Sequence, residues 1–236
     1  MLTTHQSIII RKSHKWLTLF AAVQILLWLI SGLYMVIMDI DFIRGKHLTH
    51  KATLTIPTDK TLISIEEVLR HFPGATRVNL YPSANEPRYQ VVLADRVIFI
   101  SAYNGQPVQQ VTQAEAALMV NQVFNGSTNA MTAKLVTENA PSELNPRLLP
   151  VWQFSINDTV NTRLYISATS GMLVTQRHDY WRLFDIMWML HIMDYEDRED
   201  IHNPLLSLMS LLALMTVLTG LALVFVAFAN KPSERS

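Results

Sequence analysis

With 236 residues, half of them hydrophobic and 16% charged, the chain has room for one ordinary domain plus membrane segments. Its 19 Lys and Arg balance 19 Asp and Glu, so the composition argues against a nucleic-acid partner, which calls for a clustered basic surface. Cysteine is absent, which excludes a disulfide framework, a thiolate metal site and a cysteine nucleophile and leaves the compartment open.

Residues 1–15 are polar and end in Arg11, Lys12, His14 and Lys15. Residues 16–38, WLTLFAAVQILLWLISGLYMVIM, then run without a formal charge. About 20 apolar residues cross a hydrocarbon core of roughly 30 Å, so this length predicts a transmembrane helix. The run exceeds the roughly 7–15 residues of a signal h-region and no A-x-A site follows it, which predicts an uncleaved anchor. Ala21, Gln24, Trp28, Ser31 and Gly32 recur in it at helical spacing. Small residues let helix backbones approach, and polar ones bond across the contact. Gln24 and Gly32 are therefore candidate interface residues, for a specific helix partner or for ordinary membrane packing.

After a connector at residues 39–60, the chain turns to α+β patterning. Residues 61–110 form a first unit. Its helix at 63–72 has Ser64 as cap and Glu67 at capping-box spacing. Pro73-Gly74 ends that helix, and strands follow at 76–81, 88–93 and 96–101. Residues 111–177 repeat the order. Thr112 and Glu115 open a helix that runs to about Phe124, and strands follow at 134–137, 149–156, 163–168 and 172–176. The endings FISAYNGQPVQQ and YISATSGMLVTQ align in register. The fold class expected is membrane α plus extramembrane α+β, with two units that each pack a helix on an antiparallel sheet.

Residues 178–204 hold a short aromatic helix, 181–193, in which Trp181, Phe184, Asp185, Trp188 and His191 recur at three-to-four spacing. Too short to span and too apolar to be solvated, it is expected along a membrane interface, with Trp181, Trp188, Tyr180 and Tyr195 at headgroup depth. Residues 205–228 are a second charge-free run of spanning length, started by an Asn203 cap and Pro204. Ala213, Thr216 and Gly220 make its small and polar stripe, with Gly220 a further interface candidate. Residues 229–236 form a tail. Arg11, Lys12, Lys15, Lys231 and Arg235 flank the outer ends of the two runs, whereas Asp194, Glu196, Asp197, Glu199 and Asp200 precede the second. Cations mark the cytoplasmic side, so both termini are expected in the cytoplasm. Residues 39–204 then face the periplasm of a bacterial inner membrane, although Arg44, Lys46 and Lys51 run against that trend.

HFPGATRVNL followed by a strand ending in S-A-x-x-G resembles the PepSY domain, and YISATSG carries a weaker second copy. His14-Lys15-Trp16-Leu17 with Ser31-Gly32, and Leu190-His191 with Thr219-Gly220, resemble the PepSY-associated transmembrane helix family. Together these marks span almost the whole chain. The resemblance implies a bacterial inner-membrane protein with its PepSY units outside. Larger four-helix relatives are associated with ferric-siderophore reduction, with membrane histidines carrying haem, while soluble PepSY domains restrain secreted peptidases. This chain has two spans and no flavin or nicotinamide motif, which departs from a self-sufficient reductase.

Imidazole is the commonest ligand of transition metals and often holds haem iron. The topology puts His14 at the inner mouth of the first helix and His47, His50, His178, His191 and His202 on the outer side. A membrane thickness of roughly 30 Å separates the two groups, so His14 cannot share a haem with His191 and needs a second subunit for a bis-His site. His191 and His202 are the outer candidates for haem b or a metal, with Asp194 or Glu196 as supporting partners. The same two residues are also explained as interfacial histidines bonded to caps and acidic neighbours. His47 and His50, in HLTH, are candidate metal ligands if that stretch is helical. No Ser/His/Asp arrangement, glycine-rich phosphate loop or HExxH occurs, and no catalytic residue is assigned. The function expected is a non-catalytic accessory or haem-binding subunit of an inner-membrane redox or iron-handling system. Its partners are the lipid bilayer and another membrane protein or a second copy. The alternative is a periplasmic module, without cofactor, that restrains a peptidase or senses the envelope.

Overall fold

The computed structural model of the chain describes residues 4–53, 59–83, 86–108 and 110–229, and for residues 4–7 the backbone alone. Lys231 and Arg235 of the expected tail lie outside the described residues. The chain divides into a helical unit, residues 1–39 with 183–236, and a central unit, residues 40–182.

In the helical unit α1 runs over Thr4–Ile37. It begins well before the expected residue 16, because no proline or glycine interrupts the sequence ahead of Gly32. The last helix, Pro204–Ala229, starts as expected. Asn203 Oδ1 accepts the Leu206 N–H at 2.8 Å, while its amide donates to Ile192 O and Asp200 O, both at 2.9 Å. Both helices are long and apolar enough to cross a membrane, and they pack against each other. Ala21, Gln24, Ser31 and Thr216 are buried within the helical unit, while most of the large apolar side chains of both helices are exposed.

The central unit opens with α2, Ile40–Ile43, and two helix-on-sheet repeats follow. The first comprises α3 (Ile65–His71), β1 (Arg77–Tyr81), β2 (Arg88–Val92) and β3 (Val97–Ser101). The second comprises α4 (Gln113–Val123), β4 (Met131–Val136), β5 (Val151–Ile156), β6 (Arg163–Ser167) and β7 (Leu173–Arg177). Each sheet is antiparallel in sequence order, β1-β2-β3 and β4-β5-β6-β7. After them come α5, Asp179–Ile192, and α6, the Pro204–Ala229 helix already described.

Helical spacing explains the packing of each repeat. Ala116, Met119, Val120 and Val123 fall on one face of α4 and close over Phe154, Ile156, Leu164 and Ile166. Val68 of α3 meets Tyr89, Val91 and Ile100 in the same way. A fully buried aliphatic or aromatic side chain contributes about 1.5–3 kcal/mol, so these faces are the main stabilising term.

The repeats share a hydrogen-bond frame as well as an order. Gly105 N–H donates to Ser101 O at 3.0 Å, and Gly171 N–H to Ser167 O at 2.9 Å. Both glycines have positive φ, 70° and 74°, a region where a side chain is strained. Ala102 N–H reaches Pro87 O at 2.9 Å, and Ala168 N–H reaches Pro150 O at 3.0 Å. Tyr89 donates its hydroxyl to Ile63 O at 3.0 Å, and Trp152 donates its indole N–H to Val111 O at 2.7 Å. Each of those carbonyls precedes the N-cap of its own repeat's helix. The aligned endings seen in the sequence are thus equivalent turns in three dimensions.

Candidate functional site

Two histidines of the helical unit are seated against a hydroxyl-glycine pair on a different helix. His14 of α1 meets α6, with its Nδ1 3.1 Å from Thr216 O and 3.0 Å from Thr219 Oγ1. A carbonyl only accepts, so Nδ1 carries the hydrogen. The Thr219 hydroxyl donates back to Met215 O at 2.9 Å, leaving its oxygen to accept from the imidazole. Nε2 of His14 is left as the acceptor, with the Thr18 hydroxyl 3.4 Å away. The ring fits because residue 220 is glycine. A Cβ there would stand 3.1 Å from His14 Cε1, tighter than ordinary contact.

His191, near the end of α5, meets α1. Its Nδ1 lies 2.9 Å from Ser31 Oγ, and Ser31 donates its own hydrogen to Leu27 O at 2.7 Å. With the Ser31 hydrogen directed to Leu27 O, its oxygen is open to accept from a His191 ring protonated on Nδ1. Its Nε2 has no hydrogen-bond partner among the described residues. A Cβ at Gly32 would stand 3.5 Å from the ring, in ordinary contact. Trp28 donates its indole N–H to His191 O at 2.7 Å, and Gln24 donates its amide to Leu190 O at 3.3 Å, which gives that intramembrane-type amide a partner. Phe184 lies 6.5 Å from Tyr34, centroid to centroid. Residue 184 beside 34 and residue 190 beside 24 run the end of α5 antiparallel along α1. Within the helical unit the second half of α5 thus packs lengthwise on α1.

From His14 to Ser31, α1 rises about 25 Å at roughly 1.5 Å per residue, so the two imidazoles occupy separate sites. His14 faces residues 216–220, well inside α6, and not the end of that helix.

The other candidates go elsewhere. His202 is exposed in the turn before α6, and its backbone N–H donates to Asp200 Oδ1 at 2.7 Å. No described contact joins its ring to His191. Asp194 accepts the backbone N–H groups of Glu196, Glu199 and Asp200 at 3.2, 3.0 and 2.9 Å. Those bonds, Asp200's first, hold its carboxyl below the usual range and staple the acidic loop. Trp188 donates to Arg198 O at 3.0 Å, and Arg198 pairs with Asp185, tying the loop back to α5. Trp181 carries the Arg177 guanidinium over its ring at 4.0 Å.

His47 lies in a turn and His50 directly after the isolated bridge at Thr49, neither of them in a helix, and they have different partners. His47 stacks on Phe42 at 4.6 Å and meets His178 edge-on at 5.7 Å, while His50 Nδ1 lies 2.7 Å from Asn125 Oδ1. His178 is buried and bonded to Phe42 O at 3.2 Å, and burial pushes its imidazole pKa down. Among the described residues no group of three or more His, Asp or Glu side chains is placed to hold a metal ion. Residue-level reading missed the pairing of His14 with Thr219 and of His191 with Ser31. The Ser-Gly and Thr-Gly dipeptides were the visible signal.

No protein-family model, curated protein or solved structure matches this chain.

Proposed function

We propose that the protein is a membrane-anchored, PepSY-type subunit that holds haem b for a bacterial inner-membrane redox or iron-handling system, without catalysing a reaction itself. The reading rests on one observation above the others. His191 donates its Nδ1–H into a fixed acceptor on another helix and keeps Nε2 for a ligand, the second-partner arrangement that orients metal-binding imidazoles. His14 repeats the arrangement with Thr219 and Thr216, although Thr18 stands nearer its Nε2. Bound haem would supply one-electron chemistry, and His191 and His14 are the residues of this chain that would hold it. Because the seats are about 25 Å apart along α1, the second ligand of each would come from a second copy or a larger membrane partner. The balance of flanking cations supports both termini in the cytoplasm and the central unit in the periplasm.

An optical spectrum of the purified full chain in detergent tests this. The expected result is a Soret band that falls in His191→Ala, is lost when His14→Ala is combined with it, and is retained in His202→Ala. Protein that purifies without haem and takes up none when titrated with it overturns the proposal and leaves the periplasmic module without cofactor as the reading.

A further inference from the structure

The loop after α2 is fixed over one end of α4. Gln176 Nε2 donates to Arg44 O and Asn125 Nδ2 to His47 O, both at 2.9 Å. Backbone N–H groups of Asn125 and His50 reach Leu48 O and Val123 O, again at 2.9 Å, and Gln122 Nε2 reaches Thr53 O at 3.3 Å. With its carbonyls engaged in this way, the loop is a preformed wall.

Behind that wall lies a cavity of about 640 Å³, within the roughly 300–1,000 Å³ range of small-molecule sites. Met119 and Val123 of α4, with Met172 and Leu173 at the β6–β7 turn, give it an apolar lining. Thioether side chains adapt to an irregular hydrocarbon. The lining also includes two lysines and, among the described residues, no Asp or Glu. Lys46 is already paired with Asp41 at 2.6 Å. Lys51 is exposed and forms no ion pair among the described residues. An apolar wall with a spare cation complements a molecule that is apolar along its length and anionic at one end. A neutral polar ligand would lose hydration against those side chains without recovering it.

We propose that this cavity binds a single alkyl chain bearing an anionic head group, with the chain against Met119, Val123, Met172 and Leu173 and the head at Lys51. The fixed wall lowers the cost of ordering the site when the chain enters.

Photolabelling of the full chain in phosphatidylcholine nanodiscs tests it, using tetradecanoic acid with a mid-chain diazirine and mapping the labelled peptides. Labels are expected on peptides containing Met119 or Met172. Excess tetradecanoate should lower them several-fold, and tetradecyltrimethylammonium should not. Lys51→Glu, an exposed change, should lower the labelling several-fold, and Met172→Trp should abolish it by filling the cavity. Labelling of α1 and α6 by bulk contact should be unchanged in both variants. Labels confined to α1 and α6, or equal competition by the cationic amphiphile, would overturn the proposal.

Discussion

The two repeats of the central unit share a backbone frame and differ in where they bury charge. At the residue after the aligned proline, the second repeat has Val151, fully buried against Val136, Leu144 and Tyr165. The first has Arg88, 2% exposed. Its guanidinium leaves its own repeat, donating to Thr169 O at 3.3 Å and lying 3.8 Å from Glu115, and its Nε has no partner among the described residues. Burial pushes its pKa down. The second repeat buries its charge elsewhere, on the longer β4–β5 connection. There Glu143 accepts from Tyr165 at 2.6 Å, Arg163 at 3.1 Å and Arg182 at 2.7 Å. One buried ion is saturated with partners and the other is not. The difference teaches that duplicated frames diverge where the copies meet and where a loop is lengthened, while the strand-and-turn hydrogen bonds stay fixed.

The largest effect expected is at the saturated ion. Glu143→Ala leaves two guanidinium groups and a tyrosine hydroxyl facing a hole, a loss of about 3–5 kcal/mol for a broken buried pair. Partial exposure of Arg163 and Arg182 favours the lower end. Denaturant unfolding of the full chain, followed by near-ultraviolet circular dichroism, measures it. An unchanged midpoint would show that the network is not structural.

Acidification probes the same site. Burial alone would raise the Glu143 pKa, but the hydrogen bonds from Arg182 and Tyr165 and the charges of Arg182 and Arg163 outweigh it and hold the carboxyl below its ordinary value. The unfolded state therefore binds the proton first. The stabilisation is complete above an unfolded pKa of about 4.3 and is lost as pH falls through the lower folded value. Glu143→Gln should flatten that acid slope, and a slope identical to the parent's would assign it to other carboxylates.

At the unsaturated ion the sign reverses. Arg88→Met keeps most of the buried side-chain volume and removes a desolvated charge whose ion partner, Glu115, is partly exposed. The expected change lies between neutral and a gain of about 1 kcal/mol or more. A loss as large as that at Glu143 would mean that Arg88 is the bond between the repeats.

The smallest expected difference is between the caps. Thr112 and Glu115 form a complete reciprocal box, whereas at Ser64 the hydroxyl accepts the Glu67 N–H. Thr112→Ala should cost about 1 kcal/mol and Ser64→Ala less. Equal losses would erase the distinction.

By itself the sequence determined the elements of this protein, because their signals are local. Charge-free runs of spanning length, capping pairs, turn glycines and β-branched strands sit within a few residues of one another. The helix and strand boundaries of both repeats fall close to where those signals placed them, and the aligned endings disclosed the duplication. The early start of α1 at Thr4 escaped because a polar helix carries no periodic mark until something breaks it. The candidate histidines were visible as residue types, but their partners were not. Ser31 and His191, like His14 and Thr219, are far apart along the chain, and only helix packing decides which hydroxyl meets which ring and which nitrogen keeps its lone pair. The same holds for Arg88, which a pattern reads as an ordinary strand residue and which the fold buries against a turn of the other repeat. Tertiary structure alone decided these points, since burial and hydrogen-bond partnership belong to pairs of elements and not to either one.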